Sequence, residues 1–414
     1  MTAGNRFTTL AKLRNAALVR WIAGCACLLV LSSGCDSLRL NCSTCQIEDP
    51  LPMGCPYEES FLPSGIPNPS LLVLSGGASH GAWGAGVIAG WPVSAPTPRP
   101  QFTVVTGISV GALQATFAFL GPQYNDKLRI LFSEITTEQV YTPKWNFLWS
   151  NSLQSREPLK ELIDLNLTRD VILEVAAQAS RELWVGTVNL DTSQFCPWNL
   201  STVAKNAQAA PDNSDEEKCY VELYRKIVWA ASGAPVITPP VLIDYYACKN
   251  SPEKSEAPYV DGGARLRVFA REVLSPLIQN ATTPTAYVIM NGKMVTHPRC
   301  VADQIVDITA RAFEIMDHES LFGSLYAMKD KLAGNWKLQL SRIPDDYCLD
   351  FPNSEFVPDK LKVLFAKGRD SWLGPDTWTD QIPDSSAAKW PADCCSQILK
   401  CPVTQDCPLP WCSF

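Results

Sequence analysis

Apolar residues fall into two patterns along the chain. Short unbroken apolar runs stop at glycine, as strands buried on both faces of a parallel sheet do. Leu71–Leu74 runs into Ser75-Gly76-Gly77, and "FTVVTG" (Phe102–Gly107) into a tight corner. The stretch between them, "GAWGAGVIAGW", carries four glycines, a poor composition for an isolated helix. It predicts a helix whose backbone packs very close to the sheet. "VGALQATFAFLG" predicts a second helix, ended by Gly121-Pro122. Strand, glycine loop, helix, strand, corner and helix in that order make a right-handed βαβ unit with another helix following.

Further on, "ELWVGTVNL" (Glu182–Leu190), "PYVDGG" up to Asp261 and "TAYVIMNGK" (Thr285–Lys293) read as strands. "ELYRKIVWAASGAP" (Glu222–Pro235), "QIVDITARAFEIMDHESL" (Gln304–Leu321) and "KLKVLFAKGRD" (Lys360–Asp370) read as helices. The polar stretches Asn206–Lys218 and Lys249–Ala257 read as surface loops, and no internal repeat is visible. Alternating strands and helices predict an α/β fold, with a mainly parallel central sheet.

Composition changes the picture at both ends. Arg6, Lys12, Arg14 and Arg20 precede Trp21–Ser33, a mostly apolar stretch in a segment without Asp or Glu. That stretch is too short to span a bilayer, which takes about 20 residues, and suits the apolar region of an export signal. It ends in "LSSGC", which resembles a bacterial lipobox with Cys35 as the lipidated residue. "IAGC" (Ile22–Cys25) fits letter by letter, but too little apolar chain separates it from Arg20. Asp36 after the cysteine resembles an inner-membrane retention signal. The expected location is the bacterial cell envelope, exported and lipid-anchored at Cys35; a secreted or periplasmic soluble protein is the alternative.

Without those four basic residues, 31 basic face 42 acidic residues, a net of −11. An acidic body of that kind argues against nucleic acid as a partner. Thirteen of the 16 cysteines follow Cys35, so export makes disulfides their default state, and the odd count leaves at least one thiol over. Cys42 and Cys45, or the cluster Cys394–Cys412, have metal-like spacing, but no histidine joins either, and no metal or cofactor is expected. The divisions expected are a signal over 1–34, a Cys/Pro-rich tether over 35–68, a catalytic domain over 69–370, and a Trp/Pro/Cys-rich, disulfide-stapled tail over 371–414.

The candidate chemistry sits in the glycine turns. "GISVG" places Ser109 between Gly107 and Gly111, the spacing of a strained strand-to-helix corner that exposes a nucleophilic hydroxyl. Loops following adjacent parallel strands emerge on one edge of the sheet, so the turn at Gly76 should meet Ser109. Free N–H groups at the start of the following helix suit an oxyanion. "YVDGG" ends a strand with Asp261, followed by Gly262 and Gly263. Its carboxylate is a weak base unless desolvated or bonded to the serine.

"LSGGASHGAWGAGV", "GISVGA" and "VDGG", in that order, resemble the patatin-like phospholipase family, over roughly residues 70–270. The resemblance implies a three-layer α/β/α sandwich and metal-free hydrolysis of lipid or fatty-acyl esters by a Ser-Asp dyad. It casts Ser109 as nucleophile, Asp261 as general base, and Gly76, Gly77, Ala78 and Gly81 as the oxyanion loop. Two positions depart from the family. Ala78 replaces its third glycine, so a positive φ there would strain the loop. His80 stands where a basic residue is often found, either lending charge to the loop or, the preferred reading, capping the helix.

Two other readings remain in play. One is an α/β-hydrolase esterase with a Ser-Asp-His triad, since His297 and His318 follow Ser109 and Asp261 in the required order. The other is a non-catalytic envelope lipoprotein that binds a partner on the same fold. Trp145, Phe147, Leu148 and Trp149 suit an acyl pocket or a membrane interface, with ordinary core packing preferred.

Overall fold

The computed structural model describes residues 55, 60–62, 66, 68–92, 98–143, 152–235, 237–249, 256–270, 284–294, 301, 303–332, 336–347, 349, 351–373 and 377–383. In chain order the strands are β1 (Ser70–Leu74), β2 (Val104–Gly107), β3 (Thr142–Pro143), β4 (Gln154–Ser155), β5 (Glu182–Asn189), β6 (Phe195–Asn199), β7 (Val241–Ile243), β8 (Ala257–Asp261), β9 (Thr285–Met290) and β10 (Lys337–Arg342). The helices are α1 (Gly81–Gly90), α2 (Val110–Leu120), α3 (Asn125–Ser133), α4 (Glu157–Asn166), α5 (Arg169–Ala176), α6 (Leu200–Ala209), α7 (Asp215–Ala231), α8 (Ile305–Lys331) and α9 (Pro358–Asp370).

Eight strands form one sheet in the order β10-β9-β1-β2-β5-β8-β7, with β6 on β5. The five strands from β10 to β5 run parallel; β6, β8 and β7 pair antiparallel. Side chains alternate across the sheet as strand geometry requires. Leu72, Leu74 and Val105 enter one core, while Leu71, Val73 and Val104 enter the other. α8 covers the second face through Leu321, Phe322, Leu325 and Met328; α1, α2, α7 and α9 cover the first. The result is an α/β/α sandwich with a mixed, mostly parallel sheet.

The structure refines one sequence expectation and corrects another. The glycine helix does lie on the sheet, where Gly84 faces Ile289, but its other glycines serve a helix contact. A Cβ on Gly86 or Gly90 would run into the backbone of α9, and one on Gly368 into the backbone of α1. The stretch 206–218 is mostly helix: it holds the end of α6 and the start of α7, with a short turn between. Ser214 caps α7 by accepting from the Glu217 N–H at 3.1 Å, and Asp215, Glu216 and Glu217 favour the positive end of the helix. A polar helix start has the composition of a loop, which is why it reads as one.

The segment after α9 begins as part of the sandwich. Trp372 and Trp378 pack at 4.9 and 5.0 Å from Trp91, and Thr379 pairs with Leu340 of β10. Residues 384–414 lie outside the described residues, as do the signal, Cys35, most of the tether and 250–255.

Two disulfides join Cys55 to Cys196 of β6 and Cys219 of α7 to Cys248. The remaining cysteines after Cys35 lie outside the described residues. Among the described residues no helix is long and apolar enough to cross a membrane, and no group of three or more His, Cys, Asp or Glu is placed to hold a metal ion.

Candidate active site

Ser109 occupies the corner between β2 and α2 with φ 55° and ψ −126°, a conformation an L-residue holds only under tertiary constraint. Two glycines make room for it. A Cβ on Gly107 would lie 2.5 Å from the Gly111 carbonyl oxygen, and one on Gly111 would overlap the carbonyl of Leu74. The corner therefore closes tightly onto itself and onto the end of β1.

Strand register brings Asp261 to the same place. β5 pairs with β2 through its first half, where Val185 faces Gly107, and with β8 through its second, where Thr187 faces Asp261. Ser109 lies two residues past Gly107, just as Thr187 lies two past Val185, so both side chains reach one level of the sheet. The Ser109 hydroxyl stands near enough to the Asp261 carboxylate to favour its ionised form. Asp261 is 6% exposed, and burial pushes its pKa above the usual carboxylate value. Four neighbours pull the other way: the Ser109 hydroxyl, the Gly263 N–H at 2.7 Å, and the charges of Arg267 and Arg156.

The loop after β1 faces this pair. Gly77 has φ 154°, and a Cβ there would overlap the carbonyl oxygen of Asn291. Ala78 has φ 48°, so the position where the family has glycine does take the left-handed conformation. The N–H groups of Gly76, Gly77 and Ala78 donate to no acceptor among the described residues, whereas Ser79 N–H donates to the Asn353 carbonyl. Gly81 opens α1 against Val110.

His80 fills neither role expected of it. Its Nε2 lies 3.4 Å from the Phe351 carbonyl and its ring packs edge-on to Phe351. Although the residue keeps some surface exposed, enclosure of the ring lowers its pKa to about 4, so it is neutral at neutral pH. It makes no side-chain cap.

Several supporting residues carry no local sequence signal. Asn291 donates from Nδ2 to the Ser75 carbonyl at 2.8 Å and to Gln114 Oε1 at 3.2 Å. Gln114 donates to the Gly81 carbonyl at 2.6 Å. The glycine loop is thus held at both ends by side chains from β9's exit and from α2. Arg156, 1% exposed, donates to the carbonyls of Trp229 and Pro239 and ties the end of α7 to the chain entering β7.

Ser109, Asp261, Gly77 and Ala78 line a cavity of about 650 Å³. Its walls are chiefly apolar, including Leu113, Phe117, Ile135, Leu159 and Ile163 from α2, α4 and the chain between α3 and β3. Trp145, Phe147, Leu148 and Trp149 lie outside the described residues, and so does His297. His318 sits on α8 beside Arg267 and Asp317 and lines a separate small cavity, with burial lowering its pKa.

Fold and site together belong to the class of α/β/α proteins that set a strained serine and a buried carboxylate in the lining of an apolar pocket. Residues 72–274 match the family model for patatin-like phospholipase. The chain thus carries a domain of the patatin-like phospholipase family, a family of lipid acyl hydrolases. Among solved structures it is similar to the crystal structure of VipD from Legionella pneumophila, at 12% identity over 79% of this chain and 73% of that one, with a TM-score of 0.26. No curated protein matches.

Proposed function

We propose that this protein is a serine esterase of the phospholipase A or lysophospholipase type. Ser109 is its nucleophile, Asp261 its general base, and the loop of Gly76, Gly77, Ala78 and Gly81 its oxyanion hole. The observation that carries the proposal is a serine in a strained corner lining one cavity with a buried carboxylate of raised pKa. Asp261 takes the proton as Ser109 Oγ attacks the ester carbonyl. The carbonyl oxygen gains a negative charge, which the free N–H groups of Gly77 and Ala78 face. Collapse breaks the ester bond, and Asp261 returns its proton to the departing alkoxide. Water, deprotonated by Asp261, then attacks the acyl-enzyme; Ser109 recovers its proton and a fatty acid leaves. The apolar cavity holds the acyl chain.

A triad finds no support among the described histidines: His80 is bound to Phe351, and His318 lines a different cavity. Labelling with a fluorophosphonate probe, combined with lipid analysis of wild type beside Ser109→Ala, tests the proposal. Labelling and lipid turnover that both vanish in the variant are expected. A folded wild type that takes no label would favour the binding-protein reading.

The same proposal places the protein in the bacterial cell envelope, tethered by a lipid on Cys35 after removal of residues 1–34. A tether raises the local concentration of membrane substrate without any new contact. Metabolic labelling with a radioactive fatty acid, lost in Cys35→Ser, is the expected result.

A further inference from the structure

Beside the Ser109–Asp261 pair stands a cation to which the sequence motifs assign no task. Arg267 follows Asp261 on the chain leaving β8, and its backbone N–H is fixed to Ser324 Oγ of α8 at 3.1 Å. Its guanidinium reaches back into the site. Cζ and Nη1 lie 3.5 Å from where a Cβ on Gly76 would be, and Nη1 lies 3.3 Å from the same point on Gly263. Asp317 holds Nη1 at 2.9 Å, while Nε is buried and donates to nothing among the described residues. Arg267 lines both the large cavity and a second one of about 40 Å³, shared with Ser75, Asn291, Lys293 and His318.

The reaction has two sides, and Arg267 is on one of them. The acyl chain lies in the apolar cavity. The departing alkoxide must lie against Asp261, because Asp261 returns the proton to it. Arg267 is next to Asp261 and its Gly263 turn, so it faces the leaving group. A glyceride would bring a hydroxyl or a second ester there. A glycerophospholipid brings a phosphate, a few bonds beyond the scissile oxygen. Its charge and acceptor oxygens match a guanidinium that Asp317 orients but does not saturate.

We propose that Arg267 is the specificity-determining residue that binds the phosphate of a phospholipid leaving group. The inference rests on the hydrolase reading for which side is which. It is tested by binding, so that the two can fail separately. Full-length protein is titrated calorimetrically with an ether-linked hexadecyl glycerophosphocholine, which has no scissile ester, and with the phosphate-free hexadecyl glyceryl ether. Wild type should prefer the phosphate compound by about tenfold or more, the scale of one charge-assisted hydrogen bond. Arg267→Gln should lose that preference while binding the glyceryl ether as wild type does; Arg267→Lys should restore part of it. Melting curves of each variant report folding. A preference unchanged in Arg267→Gln overturns the proposal, as does an equal loss for both compounds in either variant. Hydrolysis of the ester-linked counterpart is read in parallel and speaks only to the hydrolase reading.

Discussion

A Cβ added to Gly76 would lie 3.1 Å from the Cβ of Ser109, so the loop after β1 and the corner after β2 meet with no side chain between them. Backbone N–H groups can face the serine hydroxyl only because of that gap. Gly76→Ala should crowd Ser109 and the Arg267 guanidinium while leaving the sheet intact. The expected outcome is a fall in kcat/KM of at least about tenfold from displacement of the reacting groups, with Tm nearly unchanged. Gly77→Ala should behave differently, since its Cβ overlaps the Asn291 carbonyl at φ 154°. That variant should lose stability, by about 2 kcal/mol or more. Esterase assays and thermal melts of the two variants separate the effects.

Asp261 acts as a base only when ionised, and burial holds its pKa above 3.8. Activity should therefore fall on acidification through a pKa higher than that of an ordinary carboxylate. The same burial affects stability. The folded state binds a proton more tightly than the unfolded chain, so ionised Asp261 weakens the fold at neutral pH. That cost disappears below pH 3.8, where both states are protonated. Asp261→Asn should abolish turnover yet raise Tm at neutral pH, with a gain that shrinks in acid. Melts of both proteins from neutral pH down to about pH 4 check this; a gain that grows in acid would contradict it.

How far the site was legible follows from where its signals lie. Gly107-x-Ser109-x-Gly111 and Asp261-Gly262-Gly263 encode local backbone shape, and neighbouring residues suffice to read them. Asn291, Gln114 and Ser75 stand far apart in sequence and meet only when β9 and β1 pair, so no local pattern marks them. Arg267 lay in plain view two residues after Arg265, but only the return of its guanidinium to Gly76 distinguishes it from a surface cation. In the fold, continuous apolar runs marked the central strands. β10, "KLQLSR", went unread because its polar positions break the run. α7's start was hidden by its charged first turn.

Ala78 holds a φ of 48° in the loop that faces Ser109. A Cβ in that region costs about 1–2 kcal/mol, whereas glycine there gives up roughly 0.5–1 kcal/mol of backbone entropy. Ala78→Gly should therefore stabilise the protein by up to about 1 kcal/mol, a rise in Tm of about 2 °C for a domain of this size. The free N–H of residue 78 keeps its place, so kcat should hold or increase. Scanning calorimetry and esterase kinetics on the variant check both. A fall in Tm would mean that the alanine is not strained.

His80 makes the protein sensitive to acid in a defined window. Its pKa is lowered from 6.5 to about 4, chiefly by burial and further by Lys293, while the Phe351 carbonyl opposes the shift. Below pH 6.5 the unfolded chain takes up a proton that folded His80 refuses, so stability is lost progressively as the pH falls from 6.5 to about 4 and no further below it. A shift of that size corresponds to at most about 3 kcal/mol. His80→Gln can still donate to the Phe351 carbonyl but does not titrate. Urea unfolding at neutral pH and at about pH 5 should show wild type losing more stability than His80→Gln, with the two converging at neutral pH. Equal losses would mean that the ring is protonated in the folded state and lies open to water. In that case a cation would stand at the start of α1, beside the loop that faces Ser109.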